Sequence, residues 1–472
     1  FKGEREVSLL YAIVHEQPQR LKSLKPDVPP ELERIVRRAL EKKPKSRYSS
    51  AGEMLRDLEA YQESLRIAEA GLLNLRWLLR QARRPRVAIP ALIFLLALGL
   101  LTHWFLGRQA KIRWAREQAL PEVERLIGEN DIWRNLAGAY DLAEKAEAYI
   151  PHDPKLAELF SKCSFNINIK TEPSGAKIYM KEYKAPDSQW KYLGVSPLAK
   201  IRLPFGVFRW KMEKEGYETV LAAASTWDLD PGKPGIIIPS DLVRALDKKG
   251  GIPPGMVRVT GAKTEIWELH DFYIDKYEVT NKQYREFINS GGYRNKKYWN
   301  QRFIKDGKEL AWEEAIKEFV DQSGQPGPAT WQAGDYPEGQ ADYPVSGISW
   351  YEAAAYAEFA GKSLPTGKHW GLARGEDTTL IKYPLEGFAL LAPFSNFRGK
   401  GPVPAGSLPG ITSYGAFDMA GNVREWCWNE TPKGRLIRGG AWDDSPYAFG
   451  NRSQAPAMDR SAKNGFRCAF YP

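Results

Sequence analysis

Few side chains in this sequence could do redox or metal chemistry. The 472 residues hold three cysteines, Cys163, Cys427 and Cys468, and five histidines. So sparse and odd a set of thiols rules out a disulfide-stapled scaffold. Cys427 and Cys468 lie 41 residues apart. Free cysteine usually behaves as a small buried hydrophobe, and both are read that way. His369 stands alone and reads as a structural imidazole. One stretch, AWDDSPYAFGNR, gathers aromatic, acidic and basic groups: Trp442, Asp443, Asp444, Tyr447, Asn451 and Arg452. Aromatic faces beside carboxylates and a guanidinium suit a peptide or carbohydrate ligand. The competing reading puts Trp442 in a core and the Asp pair at a solvated turn.

These groups need a scaffold, and the composition supplies a globular one: 43% hydrophobic, 27% charged and 12% aromatic. At roughly 100–200 residues per domain, the length implies two to four domains. The net charge of +10 at first suggests nucleic acid or an anionic membrane. Residues 1–120, however, hold 23 Lys and Arg against 13 Asp and Glu, which is the entire excess. The remainder is neutral, so nucleic-acid binding loses its support there.

Within the basic quarter, Val87–Gly107 reads VAIPALIFLLALGLLTHWFLG, 21 residues without Lys, Arg, Asp or Glu. As a helix it would span about 32 Å, against a hydrocarbon core of about 30 Å. Pro90 sits in the first turn, where its missing N–H costs least. Trp104 fits the interface. A long charged stretch precedes the segment, which argues against a signal peptide. Arg76, Arg80, Arg83, Arg84 and Arg86 before it slightly outweigh Arg108, Lys111, Arg113 and Arg116 after it, which favours a cytoplasmic N-terminal side.

Residues 1–65 carry helical periodicity, with Leu32, Ile35, Val36 and Leu40 on one face and Met54, Leu55, Leu58 and Tyr61 on another. The piece is small for a core of its own and begins with Phe1, so it is expected to end something larger. The run LLYAIVHEQP, then VPPELERIVRRALEKKPKSRYSSAGEMLRDLEAY, resembles the C-terminal end of a bacterial-type Ser/Thr protein kinase domain. That resemblance implies a structural role for Arg47. No Gly-rich phosphate loop, V-A-I-K lysine, H-R-D base or D-F-G is present, and phosphoryl transfer needs them. These residues are therefore expected not to phosphorylate anything.

Residues 108–163 read as amphipathic helices, in a hairpin that cannot bury its own face. From Phe165 the period shifts towards two. EPSGAKIYM, LGVSPLAKIRLPFG and FRWKMEKEGYETV resemble a PEGA domain, with Pro173-Ser174-Gly175-Ala176 at the motif and Gly194, Pro197, Leu198, Gly206, Gly216 and Tyr217 continuing it. The resemblance implies a small β-sandwich-like module, a spacer or binding unit.

The phrases IPPGMVRV, HDFYIDKYEVTNKQYREFIN, YPVSGISWYEAAAYAEFAGKSLPTGKHWGLARG, SYGAFDMAGNVREW, RGGAW and NGFRC follow in order. Thr280 is placed to cap a helix, with Asn281 and Gln283 in its first turn. The series resembles the formylglycine-generating enzyme (sulfatase-modifying factor) family. That resemblance implies a C-type-lectin-like α+β fold, and in the true enzymes oxidation of a sulfatase cysteine with O₂ and copper held by two cysteines. The places of those cysteines fall here at Asp444 and Phe449, and copper(I) selects soft thiolates, so no copper is expected. Trp442, Asp443, Asp444, Tyr447, Asn451 and Arg452 would then surround the vacated centre. The resemblance also implies Ca²⁺ at Asn422, Val423 and Glu425, oxygen donors that suit a hard cation. The alternative is a Gly421-Asn422 turn with Glu425 paired to an Arg. A second calcium site would use Asn396, but Pro404 stands where its Asp is due. Gly367 and His369 replace both acids of the family's L-P-T-E-x-E-W phrase.

The expected architecture is multidomain: a kinase C-lobe remnant (1–65), a basic juxtamembrane linker (66–86), a transmembrane helix (87–107), a helical stalk (108–163), a PEGA-like β domain (164–249) and a formylglycine-generating-enzyme-like domain (250–472). The function expected is the sensor part of a receptor-like Ser/Thr kinase of a bacterial inner membrane, its C-terminal domains extracytoplasmic and non-catalytic. The partners expected are a membrane, a peptide, protein or glycan ligand and a second copy in a homodimer, with no nucleic acid. An active oxidase of protein cysteine and a structural envelope protein are the alternatives.

Overall fold

The computed structural model describes residues 6–82, 85–128, 136–183, 185–230, 232–233, 236–263, 267–375 and 392–472. The chain divides into two compact units, Phe1–Ala110 and Lys111–Pro472.

In the first unit, helices Pro30–Ala39 and Ala51–Ala82 pack on one another, and Ala12 of helix Glu6–His15 and Ile35 are buried. Pro30 opens its helix at the position where a missing N–H is harmless. Arg38 pairs with Glu53 across two helices, and Arg47 donates from Nε to the Glu41 carbonyl at 2.6 Å. Residues 66–86, expected as a linker, are helical as far as Ala82, because Leu, Ala, Arg and Glu there are strong helix formers. Helix Pro85–Trp114 contains the apolar stretch, is long and apolar enough to cross a membrane, and leaves Leu92, Phe94, Leu96 and Leu100 exposed. Thr102 donates its hydroxyl to the Leu98 carbonyl at 2.7 Å, satisfying the one hydroxyl in that stretch.

The second unit begins with helices Leu120–Gly128, Ala137–Glu147 and Pro154–Cys163. Their core is Val123, Ala143, Leu156, Leu159 and Cys163. Their remaining face rests on the β module that follows: Tyr140 donates its hydroxyl to the Arg202 carbonyl at 3.0 Å, and the Arg202 guanidinium lies 3.8 Å from the centre of the Phe160 ring. This supplies the cover that the isolated hairpin lacks.

The β module contains β1 (Ser164–Glu172), β2 (Lys177–Glu182), β3 (Lys191–Val195), β4 (Leu198–Pro204), β5 (Val207–Glu213), β6 (Val220–Ser225), β7 (Trp227–Leu229), β8 (Ile237–Pro239) and β9 (Leu242–Ala245). One sheet is ordered β4-β1-β9 and another β3-β2-β5-β6. Ile167, Ile169, Ile178, Met180, Phe208, Trp210 and Leu242 close both sheets on one core. Alternate residues of β5 are buried, the period-two pattern read from the sequence. Ser196 pins the 173–176 turn by accepting from the Ala176 N–H at 3.0 Å.

The C-terminal portion is a mixture of short strands and helices. Strands β10 (Met256–Val259), β11 (Ala262–Lys263), β12 (Glu268–Leu269) and β13 (Phe272–Asp275) open it. Next come β14 (Phe303–Lys305), β15 (Lys308–Leu310), β16 (Arg424–Thr431), β17 (Gly434–Arg438), β18 (Arg452–Ala455), β19 (Asn464–Gly465) and β20 (Ala469–Phe470). The principal sheet is ordered β18-β17-β16-β19, and a smaller one β10-β13-β20. Three capped helices surround them: Asn281–Asn289 after Thr280, Trp350–Phe359 after Ser349, and Gly367–Arg374 after Thr366. Thr280 and Gln283 form a full capping box. Strand β6 meets this domain through the Ala223 N–H, which donates to the Thr412 carbonyl at 3.0 Å. The Tyr183 hydroxyl likewise donates to the Ile411 carbonyl at 2.7 Å.

Candidate functional site

The site is built on the turn that leads into β16. Gly421 and Asn422 both have positive φ, +72° and +60°. A Cβ on Gly421 would fall 2.4 Å from the Asn396 carbonyl oxygen, so only glycine fits. Asn tolerates the left-handed conformation beside it. The turn buries Asn422 completely and spends its whole hydrogen-bonding capacity. Its Oδ1 accepts from Asn396 Nδ2 at 3.1 Å and the Val403 N–H at 2.9 Å, while its Nδ2 donates to Glu278 Oε2 at 2.7 Å and the Val403 carbonyl at 3.3 Å.

Three residues on, Glu425 lies in β16 with both oxygens engaged. Arg467 donates from Nε at 2.7 Å and from a terminal nitrogen at 2.8 Å, and the Trp370 indole N–H donates at 2.6 Å. Arg467 also reaches the Asp275 and Phe417 carbonyls. Glu278 and Asp418 complete the cluster, and all four charged side chains are buried. Three carboxyls thus share one guanidinium. Burial first, then repulsion from Asp418 and Glu425, pushes Glu278 well above the usual carboxylate range. Burial also pushes Asp418 up to about 6, opposed by the Gly406 N–H that donates to it. The pairing gives Glu425 the Arg partner that was the alternative to a calcium ligand. Asn422 and Glu425 offer no open oxygen, and a guanidinium already holds the place of a cation. As arranged, the Asn422 and Glu425 side chains do not fit calcium, and the Val423 carbonyl alone makes no site. No group of three or more His, Cys, Asp or Glu able to hold a metal occurs among the described residues.

The thiol positions are also filled. Asp444 accepts from Arg424 Nε at 3.1 Å and from a terminal nitrogen at 2.9 Å, and from the Ala441 N–H at 2.9 Å. Phe449 is buried against Ala420. Cys163, Cys427 and Cys468 are buried thiols outside any disulfide. Burial pushes the Cys163 thiol up to about 11 and the Cys468 thiol well above its ordinary value. A buried thiol of raised pKa is inert as nucleophile or ligand. These donors do not suit copper(I).

Around this centre, the structure keeps Trp442, Asp443, Asp444, Tyr447, Asn451 and Arg452 on one segment but splits their roles. Trp442 is half-buried, and its N–H donates to the Asn422 carbonyl at 2.9 Å. Asp443 pairs with Lys463 at 2.5 Å, which holds its carboxyl below the usual range. Tyr447, Asn451 and Arg452 are exposed. His369 stacks edge-on to Phe272 at 4.7 Å and bonds Thr366 Oγ1 through Nδ1 at 2.6 Å. Burial lowers its pKa, as befits a packed neutral imidazole. Sequence reasoning missed Glu278, Asp418 and Arg467, because no spacing links residues so far apart; only the GFRC phrase marked Arg467.

A family model described as the sulfatase-modifying factor enzyme 1-like domain matches residues 244–471. That part of the chain is a sulfatase-modifying factor enzyme 1-like domain. The match begins at the last two residues of β9, a strand of the β module, so the boundary between the two parts falls there. The serine/threonine-protein kinase pkn1 of Chlamydia caviae is 31% identical over 226 residues, covering 43% of this chain and 33% of that protein. The formylglycine-generating enzyme of Mus musculus is 28% identical over 323 residues, covering 54% and 84%. Hercynine oxygenase of Mycolicibacterium smegmatis is 28% identical over 211 residues, covering 38% and 48%. The chain thus spans about a third of the length of the chlamydial kinase it matches.

Proposed function

We propose that this chain is the membrane-anchored sensor part of a receptor-like Ser/Thr kinase, and that its sulfatase-modifying factor domain binds a ligand without catalysing oxidation. Asp444 carries the non-catalytic half of the reading: it stands at a thiol position and is consumed by Arg424 and the Ala441 N–H. The likeness to a chlamydial kinase supports the kinase half. The exposed Tyr447, Asn451 and Arg452 offer a surface for a peptide, protein or glycan. Incubating the chain with a cysteine-containing sulfatase peptide, copper and O₂ is expected to yield no aldehyde. Aldehyde formation above a protein-free control would make the oxidase reading the correct one.

Signalling across a membrane requires ligand binding to favour one arrangement of the spanning helices over another. The proposed topology sets helix Pro85–Trp114 across a bacterial inner membrane, with the N-terminal side in the cytoplasm. A cysteine introduced by Gly324→Cys, in the loop SGQPG, is expected to react with an impermeant thiol reagent once the outer envelope is opened but the inner membrane is intact. Labelling only after lysis would reverse the orientation. The native thiols, all buried, should give little background.

A further inference from the structure

A cleft of about 370 Å³ lies between the β module and the sulfatase-modifying factor domain, and none of its lining residues belongs to the 421–452 segment. Its walls come from the start of β6, the end of β9, the stretch through β10, Lys276 and the 413–414 turn. The volume falls within the range of sites for small molecules, roughly 300–1,000 Å³. Apolar walls are supplied by Val220, Leu221, Ile252, Met256 and Val257.

The charges in the cleft do not cancel locally. Arg258 is neutralised by Asp247 at 2.9 Å and Asp271 at 2.5 Å. Arg244 has no carboxylate partner among the described residues. Its terminal nitrogens donate to the Val243 and Ser413 carbonyls, at 2.9 and 3.3 Å, and its Nε is buried with no acceptor among the described residues. Burial pushes its guanidinium down, and the one group opposing that is the Tyr414 phenol. Arginine nonetheless remains protonated in proteins. Lys276 lies beside the Tyr277 and Phe417 rings, 5.3 and 5.5 Å from their centres, and pairs with no carboxylate among the described residues. The acid without a cation is Glu218, whose Oε1 accepts from the Gly250 N–H at 2.9 Å. Arg244 is half-buried; a partly desolvated cation without a counter-charge is costly, and an anion seated against its terminal nitrogens would relieve that cost with charge-assisted hydrogen bonds.

We propose that this cleft binds a small organic anion, a carboxylate carried on an apolar body. The carboxylate meets Arg244, with Lys276 adding field, and the body lies along Leu221, Met256 and Val257. The site stands apart from the sensor reading and would exist in an enzyme or a structural protein alike. Because its two walls belong to β6 and β9 on one side and to the 252–260 and 413–414 stretches on the other, its occupant would clamp the two parts together.

The test uses the intact chain in detergent, with 4-phenylbutyrate as probe, 4-phenylbutyramide as its uncharged match and sodium sulfate as its charge-only match. Calorimetric titration is expected to show saturable binding of the carboxylate at millimolar concentration or below, with the amide weaker by about tenfold or more. Arg244→Met should lose about tenfold in affinity, and Lys276→Met should weaken it less. A diazirine derivative of the probe should label peptides containing Leu221 or Met256, a measurement that holds even if Arg244→Met fails to fold. Equal binding of acid and amide, labelling elsewhere, or no saturable binding at millimolar probe would overturn the proposal. Complete displacement by equimolar sulfate would show a site that reads charge alone, and would overturn the apolar half.

Discussion

Arg467→Met is expected to destabilise the C-terminal domain by about 3–5 kcal/mol at neutral pH, the range for removing one partner of a buried ion pair. Arg467 is fully buried and is the one cation among Glu278, Asp418 and Glu425. Methionine fills much of its volume but leaves three acids with no counter-charge and empties the donors to the Asp275 and Phe417 carbonyls. The complementary change, Glu425→Ala, should cost less, because Glu278 and Asp418 can ionise to answer the remaining guanidinium. The deficit of Arg467→Met should also shrink towards acid pH, where Glu278 and Asp418, both pushed up by burial, hold protons and need no cation. Urea unfolding followed by tryptophan fluorescence at pH 5 and pH 7.5 checks all three statements. A loss below about 1 kcal/mol for Arg467→Met, or a larger loss for Glu425→Ala, would mean that the guanidinium does not hold these carboxyls in balance.

Asp418→Asn is expected to act in the opposite direction. Asp418 is pushed up to about 6 from an ordinary value of 3.8, mainly by burial. Between those values the folded chain holds a proton that the unfolded chain has released. Stability therefore falls as pH rises through that window, and above about 6 the full cost of an ionised buried carboxylate is present. Two pH units correspond to on the order of 3 kcal/mol. Asparagine keeps an oxygen to accept the Gly406 N–H at 2.5 Å and tolerates the φ of +55° at this position. The variant should match the native chain near pH 4 and exceed it progressively up to about pH 6, with a gain on the order of 3 kcal/mol above that. A stability difference that is flat from pH 4 to pH 8 would contradict it. Together the two substitutions test whether the centre of this domain is held by the balance of Arg467 against Glu278, Asp418 and Glu425.

Local signals were legible in the sequence, and the reason is that they depend on neighbours a few residues away. The apolar run Val87–Gly107 has one helical solution, the capping box at Thr280 and Gln283 is a three-residue relation, and β5 alternates as a strand must. The ordered phrases of the C-terminal domain, and the absence of cysteine at 444 and 449, needed no coordinates either. The helix through residues 66–82 follows from the propensity of its Leu, Ala, Arg and Glu, whereas the basic charge of 66–86 by itself points only to a linker.

Tertiary structure decided everything that depends on charges meeting across the chain. Glu425 could equally have faced a metal or an arginine; the fold brings Arg467 to it from 42 residues away and Glu278 to Asn422 from 144. It spends Asp444 on Arg424 and the exposed Asp443 on Lys463, and leaves Tyr447, Asn451 and Arg452 exposed as well. It also seats β6 on residues 411–412, and so creates the cleft around Arg244. Periodicity and caps are written in local order, whereas the partner of a buried charge is fixed only when distant strands close on it.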